Sequence, residues 1–190
     1  MSEPMLPLTA GQAGMWLAHQ VDSSNPMYSI AECVEIDGPI DPDLFDQALH
    51  RLVDEADALR VRFVPGAETP RQVVQESLEW SVRHVTVEDP ERWMADEVAV
   101  PFDVTTSPLF TFALLRVSDT RWTWFIKLHH TIVDGYSSAL FTARVAAIYT
   151  ALVAGSPVPP NPFGPLGDLV QADEDYRASS DFARDRDYWL

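Results

Sequence analysis

Residues 108–155 restrict the possible folds more than any other stretch of this chain. From Pro108 to His130 the sequence PLFTFALLRVSDTRWTWFIKLHH holds two segments rich in aromatic and β-branched residues, joined around Ser118, Asp119 and Thr120. Such segments favour strands and a Ser-Asp-Thr cluster favours a turn, so the spacing predicts a hairpin. Directly after it, GYSSALFTARVAAIYTALVAG (135–155) predicts a long helix stopped by Gly155. The chain is therefore of the mixed α/β class.

The remaining segments extend the pattern. LTAGQAGMWLAHQV (8–21) predicts a short opening helix with Thr9 as N-cap, and YSIAECVEI (28–36) predicts a strand. GPIDP breaks that strand before Asp41, which caps a helix whose apolar stripe is Leu44, Phe45, Ala48, Leu49, Leu52 and Val53. LRVRFV (59–64) alternates with period two, placing Arg60 and Arg62 on one face and Val61 and Phe63 on the other. Two alternating stretches within 71–87 predict a hairpin or meander, and a helix follows from Pro90 to about Val100. SPVPPNPFGP (156–165) is a proline-rich linker that propagates neither regular structure. The acidic tail from 166 has a helical pattern and closes on Tyr188, Trp189 and Leu190, an apolar end that needs something to pack on. A chain that is one lobe of something longer is the expectation.

Charge and cysteine content narrow the function classes. Thirteen basic against 29 acidic side chains give a net charge of −16, which repels phosphate backbones and anionic lipid surfaces, so neither nucleic acid nor membrane is expected as a partner. No apolar run approaches the ~20 residues of a spanning helix, and the first residues have no basic flank or apolar signal region. With Cys33 as the only cysteine, an intrachain disulfide and a cysteine-rich zinc site are excluded, and a reducing cytoplasm fits. Nothing in AECVEI would activate a thiol, so Cys33 is expected to be a small buried hydrophobe.

The chemistry concentrates in KLHHTIVDGYS (127–137). On a strand, His129 and His130 point to opposite faces, which argues against both ligating one metal. No G-x-S-x-G elbow occurs, and Ser137 and Ser138 fall inside the helix start, which disfavours a serine nucleophile. There remains one imidazole at a strand end facing a helix entrance. That arrangement suits acid/base or hydrogen-bonding chemistry, with helix-start N–H groups available to an oxyanion. Asp134 is in place to cap that helix and Gly135 to supply a turn conformation. By residue types alone, an adjacent histidine pair after an aromatic strand is more often a packed or surface pair than a site.

The order HHTIVDG (129–135) resembles the signature of condensation domains of nonribosomal peptide synthetases and their chloramphenicol-acetyltransferase-like relatives. DEADALRVRF resembles that family's second motif, R-H-E-x-L-R-T-x-F, at Leu59, Arg60 and Phe63, with Glu55, Ala56 and Asp57 replacing the opening R-H-E. LPLTAGQAGMWLAHQ is similar to the first motif through Gln12 and Trp16, with Gly14 where arginine is usual. PFDVTTSPLFTFALLRV matches a further family stretch at Pro101, Phe102, Asp103, Pro108 and Leu109. The resemblance spans nearly all of the chain. It implies an α+β sandwich in which a mixed β-sheet is flanked by helices, one of two acetyltransferase-like lobes set in a V around a tunnel. Residues 1–155 would form the N-terminal lobe, 156–165 the linker, and 166–190 a helical segment leading to an absent C-terminal lobe. Alone, the chain would present one tunnel wall and be incomplete as an enzyme.

Carried onto this sequence, the resemblance makes His130 the active-site histidine and His129 its structural neighbour. It makes Asp134 a structural carboxylate paired with an arginine of the second motif, Arg60 or Arg62, and Gly135 a backbone position lining the site. It implies amide formation between a thioester donor on an upstream carrier protein and an amine on a downstream one. Both substrates would be tethered by phosphopantetheine, with no cofactor held by the domain itself. The opening residues also look like first-module siderophore synthetases of the enterobactin and bacillibactin kind, whose donor is an aryl acid. With the first motif beginning at Leu6, no carrier domain is expected upstream if Met1 is the natural start. An epimerization domain, a coenzyme A-dependent acyltransferase and a non-catalytic carrier-docking half are the alternatives.

Overall fold

The computed structural model describes residues 5–66, 69–106 and 108–190. Two sheets organise the described residues. β1 (Met5–Pro7), β4 (Arg71–Val74) and β3 (Val61–Val64) form an antiparallel sheet in the order β1-β4-β3. β2 (Ser29–Asp37), β7 (Arg121–His129), β6 (Phe110–Arg116) and β5 (Arg83–Thr86) form the second, in the order β2-β7-β6-β5, with only the β5–β6 pair parallel. β6 and β7 form the hairpin that their composition predicts.

Residues 71–87 do not form the expected hairpin. β4 joins the small sheet, pairing with its predecessor β3 and with the distant β1, whereas β5 joins the large sheet by pairing parallel with β6. Arg60 likewise leaves the β3 strand, lying in a 3₁₀ turn over Asp57–Arg60.

Each face of the large sheet has its own cover. Phe110, Phe112 and Leu114 on β6, with Trp124, Ile126 and Leu128 on β7, face the main core. There they meet α2 (Pro42–Glu55) and α4 (Gly135–Val153) through Leu49, Leu52, Val145 and Ile148. The alternate residues Ala113, Leu115 and Phe125 face Trp93, Met94 and Val98 of α3 (Pro90–Val98). Period-two alternation thus serves two cores at once. Cys33 is a correction: it is exposed, because β2 is the sheet edge and its register opposite Phe125 puts it on the α3 side, beyond that helix's cover.

The helix starts follow capping chemistry. Thr9 and Gln12 form a reciprocal capping box on α1 (Ala10–Val21), Asp41 accepts from Asp43 and Leu44 N–H, and Asp89 accepts from Arg92 N–H. By length and composition α4 comes closer to a membrane-spanning helix than expected. It is nonetheless a core helix: Arg144 within it donates from Nε and one terminal nitrogen to Glu55 at 2.6 and 2.8 Å. The proline-rich segment has no regular structure but is tied down, Pro159 O accepting from Arg144 and Asn161 donating to Glu55 O. α5 (Leu166–Arg177) and α6 (Ser180–Trp189) follow.

Candidate active site

β7 ends at His129, and the chain turns through residues 130–134 into α4. The turn is closed by Ile132 N–H donating to His129 O at 3.1 Å and held to β2's entrance by His130 N–H donating to Tyr28 O at 2.8 Å. The two histidines, adjacent in sequence, occupy opposite kinds of environment.

His129 is 2% exposed. Thr131 N–H donates to its Nδ1 at 3.2 Å, and the Thr131 hydroxyl lies 2.8 Å from the same nitrogen. The proton therefore sits on Nε2, which is buried without a hydrogen-bond partner among the described residues. His19 stands edge-on to the ring at 5.2 Å, and Phe102 lies at 6.1 Å. Burial, helped by the neighbouring His19 and His130, holds the pKa of His129 down at about 4. His129 is a neutral packing residue.

His130 lines a groove of about 510 Å³. Its Nδ1 is 2.8 Å from Val133 O, and since a carbonyl only accepts, Nδ1 carries the proton. Nε2 is left with its lone pair for a ligand. α1 contributes Gln12 and Met15 to the groove, α4 contributes Leu140 and Phe141, and the segment leading into α5 contributes Phe163 and Leu166. The walls are largely apolar, with the carboxylates of Asp57 and Asp134 at the margin.

Asp134 accepts from Ser137 N–H at 2.8 Å and from the Ser137 hydroxyl at 2.6 Å. The hydroxyl first, then the backbone amide, hold its pKa below the usual aspartate value. The capping role is as the sequence indicates. The expected pairing with Arg60 or Arg62 is not formed: Asp134 is exposed and engaged with its own helix, and Arg60 is engaged elsewhere. Arg60 donates to the carbonyls of Val53 and Asp54 at the end of α2, to Gln75 O at 3.0 Å, and to Asp57 at 2.9 Å. Arg62 sits in β3 opposite Val73. Because Asp134 already occupies the Ser137 N–H, that group is not free for an oxyanion. Gly135 opens α4 without a positive φ, and a Cβ there would meet open space, so it serves neither the turn conformation nor a close approach within this chain. It is not among the residues lining the groove.

Several participants escaped the sequence reading. Asp57 receives Arg60 on one oxygen and Leu166 N–H on the other at 3.0 Å, so it caps α5, whose own N-cap is Pro165. Lys127, 2% exposed, donates to Glu97 O and Val100 O at the end of α3 and lies 4.6 Å from the Phe102 ring centre. Burial lowers its pKa. Gln72 is fully buried and bonded to Gln12. A glutamine within a short alternating strand gives no signal of its own. The rings of Trp16 of α1 and Phe63 of β3 meet at a tilt with centroids 5.5 Å apart, bringing together the segments that resemble the family's first and second motifs.

The condensation-domain family model matches residues 2–190. The chain belongs to the condensation-domain family. It is 37% identical over 190 residues to the dimodular nonribosomal peptide synthase of Bacillus subtilis, covering 96% of this chain and 8% of that protein. It is 32% identical to enterobactin synthase component F of Escherichia coli K12, covering 97% of this chain and 15% of that protein. Among solved structures, a variant of the starter condensation domain of the rhizomide synthetase RzmA in complex with C8-CoA superposes with a TM-score of 0.93 at 34% identity, covering 98% of this chain and 44% of that one. The first condensation domain of the calcium-dependent antibiotic synthetase superposes at 0.89 with 33% identity, covering 98% and 46%. The two sheets with their flanking helices match these condensation-domain structures, so the acetyltransferase-like fold holds. The chain spans less than half the length of the solved condensation domains that it matches.

Proposed function

We propose that this chain is the N-terminal lobe of an amide-forming condensation domain of a nonribosomal peptide synthetase, with His130 as its catalytic residue. Residues 1–155 form the lobe proper, 156–165 the linker, and 166–190 the helical segment leading to a C-terminal lobe that closes the groove into a tunnel. The observation that carries the reading is the Nδ1–H of His130 held by Val133 O, which leaves Nε2 as the acceptor in an apolar groove.

The amine of an acceptor on a downstream carrier protein attacks the carbonyl carbon of a donor thioester on an upstream one. The C–N bond forms, a proton passes from the zwitterionic adduct to Nε2, the C–S bond breaks, and the thiolate is protonated as it leaves. Amine and thioester give amide and thiol, with both arms on phosphopantetheine and no cofactor resident in the domain. An α-amine has a pKa of about 8, so a useful fraction is already neutral at pH 7. Bringing two tethered arms together accounts for most of the rate, since effective molarities of about 10⁵ M or more are available. His130 adds roughly 10²- to 10⁴-fold by orienting the amine and taking its proton. His129 packs behind the turn and Asp134 caps α4 at its end, both outside the chemistry; Arg60 acts further away, holding Asp57 at the groove's margin, and Gly135 has no role in this lobe beyond opening α4. The enterobactin synthase relatives support a siderophore context, for which an aryl donor and a cytoplasmic setting are part of the same proposal.

A second reading is favoured by one comparison, the starter condensation domain described with C8-CoA: the donor is a fatty acyl thioester of coenzyme A rather than of a carrier. Amide formation by the full-length domain, with donors offered on a carrier and on coenzyme A, separates the two. In either case His130→Ala is expected to lower turnover by roughly 10²-fold or more with the circular dichroism spectrum unchanged. Equal turnover at saturating substrates would refute the assignment.

A further inference from the structure

We propose that Gln72, which lies outside the groove, is a positioning residue for His130, an inference that rests on the function just proposed. Gln72 is the centre of β4, between Leu6 of β1 and Phe63 of β3, and none of its surface is exposed. Its side-chain amide pairs reciprocally with that of Gln12: Gln12 Nε2 donates to Gln72 Oε1 at 2.9 Å and Gln72 Nε2 donates to Gln12 Oε1 at 2.8 Å. The second N–H of Gln72 goes to Pro7 O at 2.8 Å, and the second N–H of Gln12 goes to Thr131 O at 3.2 Å. Gln12 Oε1 also accepts from Thr9 N–H at 3.0 Å.

All four amide N–H groups are used, and the outer partners fix which way each amide faces. Flipping Gln12 would set its oxygen against the Thr131 carbonyl and its NH₂ against the Thr9 N–H, and flipping Gln72 would set an oxygen against the Pro7 carbonyl. The pair therefore has one orientation. It connects the centre of the small sheet to the carbonyl of the residue that follows His130. That carbonyl lies inside the turn 130–134, whose geometry places Val133 O where His130 Nδ1 donates to it. Without Gln72, Gln12 loses the partner that holds its NH₂ toward Thr131, and the turn loses an anchor independent of α4. Gln72 touches no substrate and acts through Gln12 and the Thr131 carbonyl on the imidazole.

The test uses the full-length domain with Gln72→Leu, Gln72→Met, His130→Ala and the corresponding double variants, assayed for steady-state amide formation and checked for folding by circular dichroism. The expected result is a kcat lowered by about 10- to 100-fold with KM for either substrate within about threefold, because a small misplacement of a catalytic group is costly to rate rather than binding. In the His130→Ala background the Gln72 substitutions should add no further loss, since both remove the same contribution. A kcat within about threefold of the parent, or a loss that multiplies with that of His130→Ala, overturns the proposal. Nitrogen NMR of the His130 ring gives a readout that does not depend on turnover: the parent should hold the Nδ1–H tautomer and Gln72→Met should mix it with the other. An unchanged tautomer overturns the proposal. Should both Gln72 variants fail to fold, Gln12→Met removes the amide that links Gln72 to the Thr131 carbonyl without adding a charge, and is read by the same NMR experiment. If instead His130→Ala leaves turnover intact, the proposed function fails, and the tautomer comparison still decides whether Gln72 positions the ring.

Discussion

His129 and His130 show how two neighbouring residues of one type acquire different chemistry. Strand alternation turns one inward beside His19 and leaves the other at the turn, and the hydrogen bonds that each finds fix opposite tautomers. The sequence made the pair conspicuous and separated the two faces, because alternation on a strand is a local rule. Which partner Asp134 takes was beyond it, since a side chain's choice between its own helix start and a distant arginine depends on tertiary placement. The outcome changes the expected cost of removing that carboxylate. With the buried ion pair absent, Asp134→Ala costs a helix cap, about 1 kcal/mol, rather than the roughly 3–5 kcal/mol of a broken buried pair. Urea denaturation of the two proteins measures the difference directly.

At the scale of elements, helices were legible and short strands were not. The apolar stripe of α2, the caps at Thr9 and Asp41, and the β6–β7 hairpin all rest on contacts within a few residues. β4 and β5 have four residues each, and their alternation states only that each has two faces, not which sheet receives it. The joint between α2 and α4 was invisible for the same reason, its partners Glu55 and Arg144 standing 89 residues apart. The carboxylate of Glu55 feels burial first, which raises its pKa, but Arg144 and Arg51 outweigh it and hold the pKa below the usual value. Arg144→Leu should therefore leave the half-buried Glu55 carboxylate with only the more exposed Arg51, bonded at 2.9 Å, and destabilise the protein by about 1–3 kcal/mol, less than a fully uncompensated buried charge would. Chemical denaturation checks this, and adding Glu55→Met should recover part of the loss, as removing both members of a buried pair is far less costly than removing one.

For the molecule as a whole, the charge of −16 and the wealth of exposed local ion pairs, such as Arg184 with Asp181, say little about stability. The acid sensitivity comes from inside. An unfolded histidine titrates near 6.5, whereas folded His129 titrates at about 4, so between those values the unfolded chain binds more protons. The stabilisation from keeping this ring neutral is complete above about pH 6.5 and drains away as the pH falls toward 4, by up to about 3 kcal/mol. Asp103 and Asp134, both with lowered pKa values, lose their contributions only at still lower pH. Thermal midpoints measured from pH 7 down to 4 should fall, and His129→Phe should flatten the curve over that range whatever it does to the midpoint at pH 7.

The prolines between α4 and α5 have a last consequence. By composition they mark where one would cut to obtain a tidier fragment, but the Pro159 carbonyl accepts from the Arg144 guanidinium, Asn161 closes the end of α2, and Phe163 packs edge-to-face on Phe141 at 5.6 Å. A gene trimmed at Gly155 would lose a splint rather than a tether, baring α4 along the side where Phe141 and Phe163 line the groove beside His130.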